Sequence, residues 1–143
     1  MTAIHAFTTA HCTFDDARDR LYERFSDGRG TIPLGITVGD VRVETDVRIA
    51  FRNKSEYPGY HIIDVSWKPA NGGPFPEFIG TLAIAQDAID WSRLDLDGGY
   101  RPPLGIVGAA FDAVLGHRIA EVTADQLLAK LKEMLTHPNE ATV

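Results

Sequence analysis

The sequence predicts an α+β domain in which a curved antiparallel sheet of six or seven strands wraps around one long C-terminal helix. Two observations carry this prediction. Between residues 41 and 100, several segments alternate apolar and polar side chains with a period of two, which is typical of strands with one buried and one solvated face. After residue 103 the apolar period changes to that of an amphipathic helix. Strands in succession, followed by a helix whose apolar stripe needs a partner, favour the α+β class.

Length and composition indicate one globular domain. The chain has 143 residues, of which 44% are hydrophobic and 24% charged, and these values are ordinary for a single domain. We expect residues 1–137 to form it and residues 138–143 to be a flexible tail. The net charge is −6 and no run of Lys or Arg occurs, so nucleic-acid binding is not expected. No stretch approaches the roughly 18 apolar residues of a membrane span.

Cysteine and histidine usage argues against metal centres and cofactors. Cys12 is the single cysteine, which excludes an intramolecular disulfide and a cysteine-based zinc site. The five histidines lie far apart, without a second ligand at helical or hairpin spacing. Gly98 and Gly99 lack the lysine and spacing of a phosphate loop, so no cofactor is expected. A lone thiol and an N-terminus without signal-peptide features favour a cytoplasmic location. The oligomeric state stays open, a homodimer included.

The first third of the chain predicts a strand and a helix. Ala3–Thr9 is short and β-tolerant, and a helix is expected to begin after Thr13. The Thr13 hydroxyl can cap the helix, with Asp16 three residues later as a weak capping box. Gly28 and Gly30 are expected to end the helix, because glycine accepts the left-handed conformation found there.

Four strands are predicted between residues 41 and 100, while the assignment of residues 31–40 stays open because Pro33 and two glycines break any pattern. Residues 53–59 are interpreted as a turn region, and residues 69–76 as a connection rich in Pro and Gly. In the segment 60–68, His61 shares a face with Ile63 and Trp67. The predicted strands are Val41–Phe51, Tyr60–Lys68, Phe78–Gln86 and Trp91–Tyr100.

The C-terminal helix is predicted to begin at Leu104, because Pro102 and Pro103 cannot continue a strand ladder and proline is favoured at a helix start. About 32 residues at about 1.5 Å each would give a rod of about 48 Å. Its apolar stripe is predicted to comprise Leu104, Gly108, Phe111, Leu115, Ile119, Val122, Leu127, Leu128, Leu131 and Leu135.

Three segments resemble a known superfamily. Gly98–Asp112, with the sequence GGYRPPLGIVGAAFD, resembles a signature of the SRPBCC or START-like superfamily, in its polyketide cyclase/dehydrase-like branch. Gly73–Leu82 is similar to the strand entrance of the same group, and His117–Glu121 to its helix body. The resemblance implies a helix-grip fold around a deep hydrophobic cavity, used for lipid binding, transport, sensing, or cyclisation and dehydration of polyketides. It carries over no catalytic residue.

The leading hypothesis is a binder of a small hydrophobic molecule, lipid-like or polyketide-like, held in an internal cavity between the sheet and the C-terminal helix. Such pockets are mostly apolar with a few placed polar groups, which here would be His61 and Tyr100. The predicted lining comprises Val47, Ile49, Phe51, His61, Ile63, Trp67, Leu82, Tyr100, Phe111 and Leu115.

Two alternatives remain open. The first is an aromatase/cyclase or dehydratase in which His61 acts as acid or base and Tyr100 polarises a carbonyl. Each residue also has a structural interpretation, His61 at a strand entrance and Tyr100 with its ring packed in the core. The second alternative is an interaction protein with a filled core, which pairs with a partner through its sheet edge or helix.

Overall fold

The computed structural model describes residues 2–38, 41–70, 77–101 and 113–137. None of the helices in these ranges is long and apolar enough to cross a membrane. The elements are β1 (Thr2–Ala10), α1 (Phe14–Arg24), β2 (Arg29–Val38), β3 (Val41–Tyr57), β4 (Tyr60–Pro69), β5 (Glu77–Ala88), β6 (Trp91–Arg101) and α2 (Ala113–Thr136).

The strands form one curled antiparallel sheet in the order β1-β6-β5-β4-β3-β2. Helix α2 packs mainly against β1 and β2, which are the two edges of the sheet. The helix therefore lies across the mouth of the curved sheet, and the inward side chains of the central strands project into the space beneath it. This is the predicted α+β arrangement, with six strands in the described part of the chain.

Helix α1 begins as predicted but ends earlier. The Asp16 amide donates to Thr13 Oγ1 at 3.1 Å, and the buried side chains of Phe14 and Leu21 attach the helix to the core. The helix ends at Arg24 with Phe25 as its C-cap, so the prediction that glycines end it is wrong. Gly28 instead lies in the turn into β2 with φ of 76°. A Cβ at Gly28 would also lie 2.8 Å from the carbonyl oxygen of Phe51.

The segment that the sequence left open is an edge strand, β2, paired with β3 along its whole length. The Gly35 amide points away from β3 and donates to Gln126 Oε1 at 2.8 Å. Pro33, two residues earlier, has the same orientation, so its missing N–H removes no ladder hydrogen bond. The residues that break the sequence pattern are thus compatible with an edge position.

Strand β3 continues six residues beyond its predicted end. The turn predicted over residues 53–59 is confined to Pro58 and Gly59, where Gly59 has φ of 70°. The register shifts between Asn53 and Ser55, which marks a β-bulge. Because of this shift, Glu56 pairs directly with His61 of β4. The bulge therefore places a carboxylate on the face of the sheet that carries the histidine.

The predicted positions of β4, β5 and β6 are confirmed. The burial pattern of β4 also confirms the predicted alternation of buried and more exposed residues. The inner face and the buried side of α2 together form one core. Helix α2 departs from its predicted stripe, since Ile119 and Val122 are only partly buried while Ala120 and Ala124 are buried. The small side chains of Ala120 and Ala124 therefore also belong to the side of α2 that faces the core. Residues 102–112, which include predicted stripe positions, lie outside the described residues.

Candidate functional site

Three aromatic side chains lie in one row across the inner face of the sheet. Trp67 pairs with Phe78 and Phe78 with Tyr100 in the register of β4, β5 and β6. The Trp67 and Phe78 rings stack with centroids 4.1 Å apart and an interplanar angle of 12°. Each of the three residues is at most 4% exposed. We call Trp67, Phe78 and Tyr100 the aromatic row.

A pair of facing glycines makes room for the aromatic row. Gly80 and Gly98 are register partners on β5 and β6, and the Phe78 ring lies over them. A Cβ on Gly80 would come within 2.1 Å of the Asp97 carbonyl oxygen and 2.8 Å of Phe78 Cζ, and a Cβ on Gly98 within 2.7 Å of the same ring atom. The two strands and the ring therefore approach each other more closely than any other residue type permits.

The indole N–H of Trp67 is buried and has no hydrogen-bond acceptor among the described residues. Buried polar groups in folded proteins are nearly always hydrogen-bonded, and a tryptophan N–H in a core usually finds a partner. The group can only donate. An acceptor oxygen or nitrogen on a molecule bound beside the aromatic row would satisfy it.

Helix α2 brings a second polar group near the same end of the sheet. The ring centroids of Tyr100 and His117 are 6.0 Å apart. His117 Nε2 lies 2.6 Å from Glu121 Oε1, one helical turn later, and the His117 side chain is 41% exposed. The sequence analysis placed His117 only in the helix body. Its signal was the i,i+4 spacing to Glu121, but that spacing does not reveal which strand the helix face meets.

The other histidine of interest lies at the opposite end of the inner face. His61 is fully buried, and its Nε2 atom is 2.8 Å from the Tyr22 hydroxyl of α1. Its Nδ1 atom is 3.3 Å from Glu56 Oε1, although this contact is not aligned as a hydrogen bond. A hydroxyl that donates to Nε2 leaves the ring proton on Nδ1, facing the carboxylate. We call these residues the Tyr22–His61–Glu56 group.

Burial sets the protonation states of this group. It lowers the pKa of His61 below its ordinary value, and the neighbouring Glu56 opposes the shift. Burial also raises the pKa of the Tyr22 hydroxyl, with Glu56 acting in the same direction. The imidazole is therefore neutral and the phenol protonated near neutral pH, so one of the two groups can donate and the other accept in this hydrogen bond.

The structure does not bring His61 and Tyr100 together. His61 pairs with Ile84, and Ile84 with Leu94; Tyr100 lies six residues further along the same strand. At about 3.3 Å per residue, this separates the two positions by about 20 Å along the sheet. A mechanism in which both act on one carbonyl, as the sequence analysis allowed, therefore has no geometric support.

The other predicted lining residues have varied positions. Val47, Ile49, Ile63 and Leu82 are buried on the inner face. Phe51 is only partly buried and packs on Phe25, with ring centroids 4.8 Å apart. Phe111 and the side chain of Leu115 lie outside the described residues. Contact of any of these side chains with a ligand remains a prediction. In the described ranges, no three His, Cys, Asp or Glu side chains lie close enough to share a metal ion.

Comparisons with known proteins bear on the fold. No protein-family model matches the chain, and no curated protein matches its sequence. A conserved protein from Geobacillus kaustophilus aligns with a TM-score of 0.56 and 11% identity, covering 94% of this chain and 95% of its own. The ZhuI aromatase/cyclase from Streptomyces sp. R1128 aligns with a TM-score of 0.50 and 12% identity, covering 95% and 96%.

A START superfamily protein from Mycobacterium smegmatis aligns with a TM-score of 0.46 and 10% identity, covering 94% of this chain and 99% of its own. At such identities a structural likeness concerns architecture and not chemistry. The curled six-stranded sheet, with α2 across its mouth, and the first two alignments agree with the fold predicted from the sequence. The chain therefore has a helix-grip fold.

Proposed function

We propose that the protein binds a small apolar molecule that carries a hydrogen-bond acceptor, in the space between the inner face of the sheet and α2. The observation that carries this proposal is the buried indole N–H of Trp67, which has no acceptor among the described residues. The acceptor of the ligand, such as a carbonyl oxygen, receives this hydrogen bond. The apolar body of the ligand lies against the aromatic row.

The surroundings of Trp67 support this choice of ligand class. Ile49 and Phe78 are its register partners on either side, and both are apolar and buried. His117 and Tyr100 are the polar side chains identified near this end of the inner face. Ligand sites of this kind are mostly apolar and use a few polar groups to orient the ligand.

The structural neighbours suggest which molecules to try first. One of them is an aromatase/cyclase, so aromatic, polyketide-like ketones are the first candidates, followed by lipid-like molecules. The proposed binding unit is the single domain of residues 1–137. The free, buried thiol of Cys12 fits a reducing, cytoplasmic setting. Catalysis is not part of the proposal, because the two candidate catalytic residues lie far apart along the sheet.

The test uses prodan, a neutral fluorescent naphthalene ketone whose emission shifts to the blue in an apolar site. We expect saturable binding by the wild-type protein. Trp67→Phe keeps an aromatic ring but removes the donor, so affinity should fall about fivefold, which is the value of one neutral hydrogen bond. Native mass spectrometry of the purified protein checks independently whether a small molecule copurifies.

Trp91→Phe is the matched control. Trp91 is the second tryptophan of the chain, and it is 40% exposed and stacks on His11 on the surface. Its replacement should leave prodan affinity unchanged. Equal affinity of wild type and Trp67→Phe would contradict the role of the indole N–H, and absence of saturable binding would contradict the binding site.

A further inference from the structure

A groove of about 700 Å³ lies along the sheet, and it is lined by outward-facing residues of β2 to β5 together with Ile49, Trp67 and Phe78, whose buried side chains belong to the inner face. Its floor is a register row of small and apolar side chains: Ala50 pairs with Ser66, and Ser66 with Ile79. These residues alternate along their strands with buried ones, so their side chains point away from α2. The volume lies within the range of small-molecule sites.

Three cationic side chains border this outer groove. Arg29 pairs with Ala50 at one end of the floor, while Arg48 and Lys68 form one wall. Arg48 and Lys68 are direct register partners on β3 and β4. Like charges directly opposite each other destabilise an antiparallel pair. In the described part of the chain, none of the three cations has a carboxylate oxygen within 4.0 Å, so no close ion pair offsets the repulsion.

The neighbouring outward pair on the same strands is built differently. The next charged pair along these strands has opposite signs, since Arg52 is the register partner of Asp64. Two acidic residues also border the groove. Asp27 is engaged locally, because its carboxylate accepts the Arg29 backbone amide at 3.2 Å, and Glu77 belongs to β5 on the far side. Arg48 and Lys68 therefore form a local positive patch on a chain whose net charge is −6.

Apolar surface continues from the cationic wall. Ile79 is 56% exposed at the far end of the floor, a position where a polar side chain would be expected on a solvated face. A groove with cations along one side and an exposed isoleucine on its floor matches a molecule with an anionic head and a short apolar tail.

We propose that the outer groove binds a small amphipathic anion, namely a carboxylate or sulfate that carries a short alkyl or aryl tail. The anionic head lies between Arg48 and Lys68 and offsets their mutual repulsion. The tail lies over Ala50 and contacts Ile79. The side chains that would contact this anion point to the face opposite the buried Trp67 ring, although Trp67 also borders the groove. The proposal does not depend on the proposed function of the inner face.

The two faces can be read separately by nuclear magnetic resonance of protein labelled at the isoleucine δ1 methyl groups. Ile79 reports on the outer groove, and Ile63, which is 1% exposed on the inner face, reports on the core. Sodium octanoate is the probe, and octanamide is its neutral counterpart. We expect octanoate to shift the Ile79 methyl signal saturably and octanamide to shift it much more weakly, while any shift of Ile63 reports separately on binding at the inner face. Added salt should weaken octanoate binding.

The variant Arg48→Gln/Lys68→Gln removes the cationic wall and should lower octanoate affinity about tenfold. Arg52→Gln removes a cation four residues from Arg48, outside the groove, and should change affinity less than about twofold. Both changes concern exposed side chains, so the variants should fold normally. Equal binding of octanamide, an equal effect of Arg52→Gln, or a shift of Ile63 without Ile79 would each overturn the proposal. So would a response of Ile79 to anionic phosphatidylserine vesicles but not to free octanoate.

Discussion

The two ends of the inner face differ in how a buried polar ring is partnered. At one end, α1 closes over His61: its Nε2 is hydrogen-bonded to the Tyr22 hydroxyl, and its Nδ1 lies 3.3 Å from Glu56 Oε1 without an aligned hydrogen bond. At the other, Trp67 stacks on Phe78, and its N–H has no acceptor in the described part of the chain. A polar group held by protein partners stabilises the fold. One without a partner costs free energy in the unliganded protein and can be satisfied by a ligand.

The largest expected effect concerns the aromatic end, which is the end of the inner face that carries the aromatic row. Its stability should depend on the close approach of β5 and β6. Gly80→Ala should lower the free energy of unfolding by about 3 kcal/mol or more, because the new Cβ would meet a carbonyl oxygen and the Phe78 ring in a packed core. Urea denaturation followed by circular dichroism measures this. The matched control is Gly35→Ala, where the Cβ would meet mainly the flexible side chain of Glu44 at 3.2 Å.

Gly35→Ala should change the free energy of unfolding by less than about 0.5 kcal/mol. If the two variants are equally stable, then the close approach of β5 and β6 does not control stability at the aromatic end. Loss of prodan binding in a Gly80→Ala protein that still folds would sharpen the comparison, since it would tie the position of the Phe78 ring directly to the ligand.

How much of this could be predicted from the sequence differs between the two ends. The period of two placed His61, Ile63 and Trp67 on one buried face, because alternation reports burial directly. It could not show that Tyr22 and Glu56 would meet His61. The first depends on how α1 docks on the sheet, and the second on a bulge in β3.

The same limit explains the other errors. Strand β2 escaped assignment because Pro33 and Gly35 interrupt its pattern. A proline fits a strand mainly at an edge, and edge position is set by the order of strands. The stripe of α2 was incomplete, because hydrophobicity favours large residues: Ile119 and Val122 pack against the core but are only partly buried, whereas the small side chains of Ala120 and Ala124 are buried. The unsatisfied N–H of Trp67 depends on every neighbour in the fold, so no local pattern could reveal it.

The closed end is the end of the inner face that carries the Tyr22–His61–Glu56 group. Loss of the Tyr22 hydroxyl there should change stability less than Gly80→Ala does. Tyr22→Phe leaves His61 Nε2 buried without its hydrogen-bond partner, which should lower the free energy of unfolding by about 1 kcal/mol. Tyr57→Phe is the control, because Tyr57 is 59% exposed at a hairpin end and should be close to neutral. Prodan affinity should be unchanged in both variants, since the closed end lies about 20 Å from Trp67 along the sheet. A Tyr22→Phe protein of normal stability that loses prodan binding would reverse the roles assigned to the two ends.

The smallest expected effect is a dependence of stability on pH that comes from His61. Its pKa in the unfolded chain is about 6.5, and burial lowers the value in the folded protein. Between these two pKa values the unfolded chain binds more protons, so the free energy of unfolding falls as the pH drops below about 6.5 and levels off below the folded pKa.

His61→Gln keeps a side chain that can hydrogen-bond to Tyr22 but cannot titrate. Urea denaturation from pH 7.5 to 5 should therefore show a smaller loss of stability in His61→Gln than in the wild type. The remaining titrating groups are common to both proteins, so equal slopes would mean that His61 is as readily protonated in the fold as in the unfolded chain, and that the closed end is open to water.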